Sequence, residues 1–110
     1  MEKSLKILLD ENIPERFRHE LNDFDTYTVR YLGWKGLQNG QLLQRMIASD
    51  LNVLITFDQK LPYENWIASL PIAVIVVKTQ KNKLRELIAK KERIIAILAL
   101  VSENHVYLVD

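Results

Sequence analysis

The chain has 110 residues, 48% hydrophobic and 26% charged, a composition expected of one globular domain spanning residues 1–110 with its own hydrophobic core. It has no cysteine, which excludes disulfides, thiolate zinc sites, iron–sulfur clusters and cysteine nucleophiles. Fifteen Lys and Arg against fourteen Asp and Glu leave a net charge of +1, no whole-chain signature for nucleic acid or membrane.

Lys6 to Leu9 is a short apolar run that ends abruptly at Asp10-Glu11-Asn12, and it reads as a first strand. Pro14 opens a helical stretch to Leu21, with Asn12 as candidate N-cap, Glu15 suited to the helix dipole, and Phe17 and Leu21 facing the core. Thr26 to Tyr31, β-branched and aromatic, reads as a second strand, followed by a loop with turn glycines Gly33, Gly36 and Gly40. Gln41 to Ser49 reads as a helix with Leu42, Leu43, Met46 and Ile47 inward. Val53 to Thr56 is a third strand, stopped by Asp58, and Pro62 to Leu70 a short helix or loop carrying Trp66. Ile72 to Val77 is apolar at every position, the pattern of a parallel strand covered on both faces. Lys81 to about Val101 reads as one long helix, and His105 to Val109 as a last strand. The expected fold is α/β, a three-layer sandwich around a mainly parallel sheet of four to five strands. The longest uncharged run, Asn65 to Val77, is shorter than the about 18 residues of a membrane span, and Asp10 interrupts the first apolar run too early for a signal peptide. A cytoplasmic protein without membrane association is expected.

The positions of the acids carry the functional expectation. Asp10 and Glu11 end the first strand and Asp58 follows the third. In open parallel sheets ligands bind outside the carboxyl ends of the strands, where strand order reverses. If the first and third strands are neighbours, the three carboxylates converge on one crevice and repel one another unless a cation or proton intervenes. Oxygen ligands without cysteine suit Mg²⁺ or Mn²⁺. The structural alternative is that these acids are turn formers or caps, that Asn12 is a cap, and that Thr56 is a β-branched strand residue instead of an orienting group for Asp58.

Ile7-Leu8-Leu9-Asp10-Glu11-Asn12-Ile13-Pro14 resembles the opening of small stand-alone PIN-like proteins, relatives of VapC-type toxin nucleases. The resemblance runs on through Gly33-Trp34-Lys35-Gly36-Leu37, Asn39-Gly40-Gln41-Leu42-Leu43 and Val53 to Tyr63, and covers nearly the whole chain. It implies a PIN-like fold and metal-dependent RNA phosphodiester hydrolysis, with Asp10, Glu11 and Asp58 as catalytic and metal-binding acids. An RNA substrate and a cognate antitoxin follow as expected partners. Relatives commonly carry further acids where this chain has Asn39, Gly40 and Gln41, and again where it has Lys60. Two carboxylate positions are therefore neutral or basic, which weakens two-metal cleavage. Asn39 and Gln59 are candidate neutral oxygen donors, with Thr56 and Asn12 in support. Arg16, Lys35 and Lys60 are candidate RNA contacts.

Lys78, Lys81, Lys83, Arg85, Lys90, Lys91 and Arg93 form a second basic region, read either as an RNA-facing surface or as a solvated helix face. The run Ile94 to Val101 exceeds one helix face, which suggests deep burial or a homodimer seam. Trp34 is expected as a loop anchor, and His19 and His105 as structural or exposed. Two other function classes stay open. One is a catalytically inactive PIN-like partner protein. The other is a receiver-like phosphoacceptor at Asp58, similar in its acidic pair after the first strand. Against the second, Lys78 and Thr79 are adjacent and no proline follows the lysine.

Overall fold

The computed structural model describes residues 5–60, 70–80, 83–101 and 105–110, and of Asn39 the backbone alone. Five strands, β1 (Lys6–Leu9), β2 (Asp25–Thr28), β3 (Val53–Thr56), β4 (Ala73–Val77) and β5 (His105–Val109), form one sheet in the order β2-β1-β3-β4-β5. Every pairing is parallel, with Leu9 opposite both Thr28 and Ile55, and Ile55 opposite Ile75. Among the described residues, four helices accompany the sheet: α1 (Val29–Leu32), α2 (Asn39–Ala48), α3 (Lys83–Ala89) and α4 (Lys91–Leu98), with a 3₁₀ helix at Glu15–Leu21.

Alternation along the strands divides the core in two. Ile7, Leu9, Val53, Ile55, Ile75 and Val77 pack with Phe17 and Leu21 of the 3₁₀ helix and with Leu87, Ile94 and Leu98 of α3 and α4. Leu8, Leu54, Val74 and Val76 point the other way and pack with Val29, Trp34 and the inward residues of α2, Leu42, Leu43 and Met46. The period-2 alternation of β-strand side chains produces this division. It also explains why β3 and β4 are buried along their whole length. Trp34 is nine-tenths buried, an anchor of the loop as its sequence position implied.

Local chemistry moved some boundaries. The expected strand Thr26–Tyr31 is cut at Thr28, whose hydroxyl accepts the N–H of Tyr31 at 3.1 Å and starts the helical turn α1. Gly33, at φ 75°, ends that turn. Pro14, not Asn12, occupies the N-cap position of the 3₁₀ helix, and no side chain caps it. Gly40 lies inside α2, so it is not a turn glycine; α2 instead begins with reciprocal bonds between Gln38 and Gln41. The expected single helix 81–101 is two, broken at Lys90, whose φ of −102° and ψ of 4° leave the α-helical region. There the N–H of Lys90 is shared between the carbonyls of Glu86 and Leu87, and its ammonium donates to the carbonyl of Lys78. The segment Pro62–Leu70 with Trp66 falls, except for Leu70, outside the described residues, as does the expected helix start at Lys81.

Among the described residues, no helix is long and apolar enough to cross a membrane. Within Ile94 to Val101, Ile94 and Leu98 are buried, while Leu100 is 72% exposed.

Candidate functional site

The chain passes from β1 to β2 on one side and then places β3 on the other side of β1. Strand order therefore reverses between β1 and β3, and their carboxyl ends flank the crevice that this topology opens. The ladder extends one residue past β1, because the N–H of Asp10 donates to the carbonyl of Ile55 at 3.0 Å. This fixes Asp10 at the lip of the crevice, beside the end of β3.

Thr56 joins the two sides. Its hydroxyl, fully buried, donates to Asp10 Oδ2 at 2.6 Å and accepts the N–H of Asp58 at 3.0 Å. The other oxygen of Asp10, Oδ1, accepts the N–H of Glu11 at 2.8 Å. Asp58 Oδ1 accepts the N–H of Lys60 at 3.0 Å, closing a turn of the kind aspartate favours. Thr56 thus orients one aspartate through its side chain and the other through its backbone.

Glu11 behaves differently from its neighbour. Its carboxylate reaches out to the glycine loop and accepts the N–H of Gly36 at 2.7 Å. Gly36 adopts φ 87°, a left-handed conformation that glycine takes without a Cβ penalty. Among the described residues, no group of three or more His, Asp or Glu side chains is placed to hold a metal ion. Asp10, Glu11 and Asp58 therefore share a crevice without forming a ready three-carboxylate cage.

Among the described residues, a series of hollows lies along this edge of the sheet. The first, about 350 Å³, is lined by Asp10, Glu11, Asn12, Leu37, Phe57, Asp58 and Lys83. The second, about 530 Å³, shares Asp10, Glu11 and Asn12 and adds Glu15, Arg16, Thr28, Arg30 and Lys35. The third, about 370 Å³, shares Glu15, Arg16, Thr28 and Arg30 with the second and adds Arg18, His19 and Tyr31. Lining charge passes from mainly acidic over β1 and β3 to mainly basic over β2 and the 3₁₀ helix. The chain's near-neutral total conceals this separation.

Of the candidate side chains, Asp10, Glu11, Asn12 and Asp58 line the first hollow, and Arg16 and Lys35 line the second. Gln59 and Lys60 are exposed beyond the end of β3. The structure describes no side chain for Asn39, at the start of α2. Sequence reasoning did not single out Lys83, whose ammonium lies 5.5 Å from the centre of the Phe57 ring at the acidic hollow. Its signal was present in the basic region but merged with a helix face. Other bases of that region have structural partners: Lys91 binds Glu20 at 3.0 Å, and Arg93 donates to the carbonyl of Asp110 at 2.6 Å.

No family model matches the chain, no curated protein is significantly similar to it, and no solved structure matches it.

Proposed function

We propose that the protein is a metal-dependent ribonuclease with a PIN-like three-layer fold, whose reaction centre is the crevice between β1 and β3. The single observation that carries this reading is the hydroxyl of Thr56, which ties Asp10 and the backbone of Asp58 together at the topological switch point. A strand-end aspartate acting only as a turn former does not require a buried hydroxyl aimed at it from the neighbouring strand.

The donor set suits a hard divalent cation. It is composed of oxygens, the carboxylates of Asp10, Glu11 and Asp58 beside the amide of Asn12, in a hollow of about 350 Å³ that leaves room for water. Asp10 and Asp58 would hold Mg²⁺ or Mn²⁺, which supplies Lewis-acid polarisation of the phosphodiester and activation of water. Thr56 holds Asp10 in orientation from the strand side. Glu11 fixes the loop at Gly36, which leads into the wall formed by Leu37. Arg16 and Lys35 bind flanking phosphates in the adjoining hollow, and Lys83 adds positive charge beside the acids. Two aspartates supply fewer charges than a two-metal site usually holds, so catalysis is slow relative to enzymes with a full set.

The test is cleavage of single-stranded RNA by purified protein with Mg²⁺ or Mn²⁺. Metal-dependent cleavage that Asp10→Asn and Asp58→Asn each abolish supports the reading; no cleavage with either metal overturns it.

That no three carboxylates among the described residues are placed to hold a metal favours a second reading, a catalytically inactive PIN-like binding protein that keeps the fold. The strand order, shared with doubly wound phosphoacceptor folds, favours a receiver-like Asp58 to a lesser degree. Labelling of Asp58 by a small-molecule phosphodonor, lost in Asp58→Asn, distinguishes that class.

A further inference from the structure

The hollow farthest from the acids has features that the cleavage reading leaves unused. It is lined by Arg16, Arg18, His19, Arg30 and Tyr31, with Glu15 as the one acid. Glu15 is already engaged by Arg30 at 3.7 Å and by the hydroxyl of Thr28 at 3.5 Å. Arg16 and Arg18 are exposed and form no ion pair among the described residues. Tyr31 is 70% exposed, and the ring of Tyr27 lies beside it, with centroids 6.5 Å apart and planes inclined by 39°. Arg16, Thr28 and Arg30 line both this hollow and the one that Asp10 and Glu11 also line, so the two adjoin.

We propose that this hollow is a nucleotide subsite for single-stranded RNA, holding a nucleotide that flanks the one in the acid crevice. The ring of Tyr31 stacks on an unpaired base, and Arg16 and Arg18 contact the adjoining phosphates. An exposed aromatic beside cations is the arrangement that binds single strands, because every base has a stacking face and every linkage a charge. A paired base does not offer that face, so duplex RNA binds less tightly. Successive hollows from Tyr31 to Asp58 suit a polymer that continues past the reaction centre better than a mononucleotide. The proposal takes its substrate class from the ribonuclease reading, but the contacts it names involve neither the metal nor the aspartates.

The experiment is fluorescence anisotropy with a labelled oligouridylate in EDTA, where no metal-dependent cleavage occurs. Tyr31→Ala is expected to weaken binding about fivefold or more, while Tyr31→Phe retains it. Arg18→Ala is expected to weaken binding and to reduce the slope of log affinity against log salt by about 0.7, the contribution of one single-strand phosphate contact. Circular dichroism checks that each variant keeps the wild-type fold. Unchanged affinity in Tyr31→Ala and Arg18→Ala, equal binding of duplex RNA, or no binding by wild type overturns the subsite. Cleavage of the same oligonucleotide with Mn²⁺ is measured separately. If wild type cleaves while both variants bind normally, the subsite fails and the ribonuclease reading survives. If the variants lose binding and wild type does not cleave, the subsite stands and the ribonuclease reading fails.

Discussion

The hydroxyl of Thr56 lies 2.6 Å from Asp10 Oδ2, a hydrogen bond between the last residue of β3 and the first residue beyond β1. Thr56 is fully buried, so a residue without the hydroxyl leaves the inner oxygen of Asp10 without that donor and the N–H of Asp58 without that acceptor. Thr56→Val keeps the shape and removes the bonds. It is expected to lower stability by about 1–3 kcal/mol, because a polar group left unsatisfied costs more than a hydrogen bond contributes on average. Thr56→Ser, which keeps the oxygen, is expected to lose less. Urea unfolding of the three proteins measures the difference, and equal midpoints for wild type and Thr56→Val contradict it.

Two glycines that look alike in the sequence should respond in opposite directions to alanine. Gly36 has φ 87°, and an added Cβ would meet nothing within 4 Å, so conformational strain alone decides the outcome. Gly36→Ala is expected to destabilise by about 1–2 kcal/mol. Gly40 lies in the first turn of α2 with equally open space around it. Gly40→Ala is expected to stabilise by about 0.5 kcal/mol. Thermal unfolding of both variants checks the sign of each change.

The sheet was readable because its strands are short, apolar and sharply ended. Asp10 follows β1, and the β-prone apolar stretch Val53–Thr56 is closed soon after by Asp58, so both ranges match the expectation. What failed depended on single side-chain bonds or backbone angles that periodicity does not encode. The hydroxyl of Thr28 ended β2 early, and a non-helical ψ at Lys90 divided the last helical region. At the crevice, strand-end logic identified Asp10, Glu11 and Asp58. Only three-dimensional placement shows Glu11 held by Gly36, which is 25 residues away, and Lys83 beside the acids.

Tyr27 supplies a pH-dependent observable outside the crevice. Its hydroxyl donates to Asp25 Oδ2 at 3.0 Å, and this bond, with smaller contributions from desolvation and from the nearby charge of Asp25, raises the phenol above its ordinary value of 10.0. A phenol raised on folding favours the native state while protonated. That contribution is fully present below about pH 10 and is lost as pH rises through the raised value. In an NMR titration of the tyrosine ring carbons, Tyr27 is expected to titrate above its ordinary value in wild type. In Asp25→Asn it should fall back toward that value. Identical titration in the two proteins contradicts the assignment.

The proposed reaction centre requires a hard divalent cation in the crevice between β1 and β3. Anomalous diffraction from crystals soaked in Mn²⁺ tests it most directly. One manganese peak is expected in contact with carboxylate oxygens of both Asp10 and Asp58, absent from Asp10→Asn crystals treated in the same way. A wild-type crystal that takes up Mn²⁺ elsewhere but shows none between these two aspartates contradicts it.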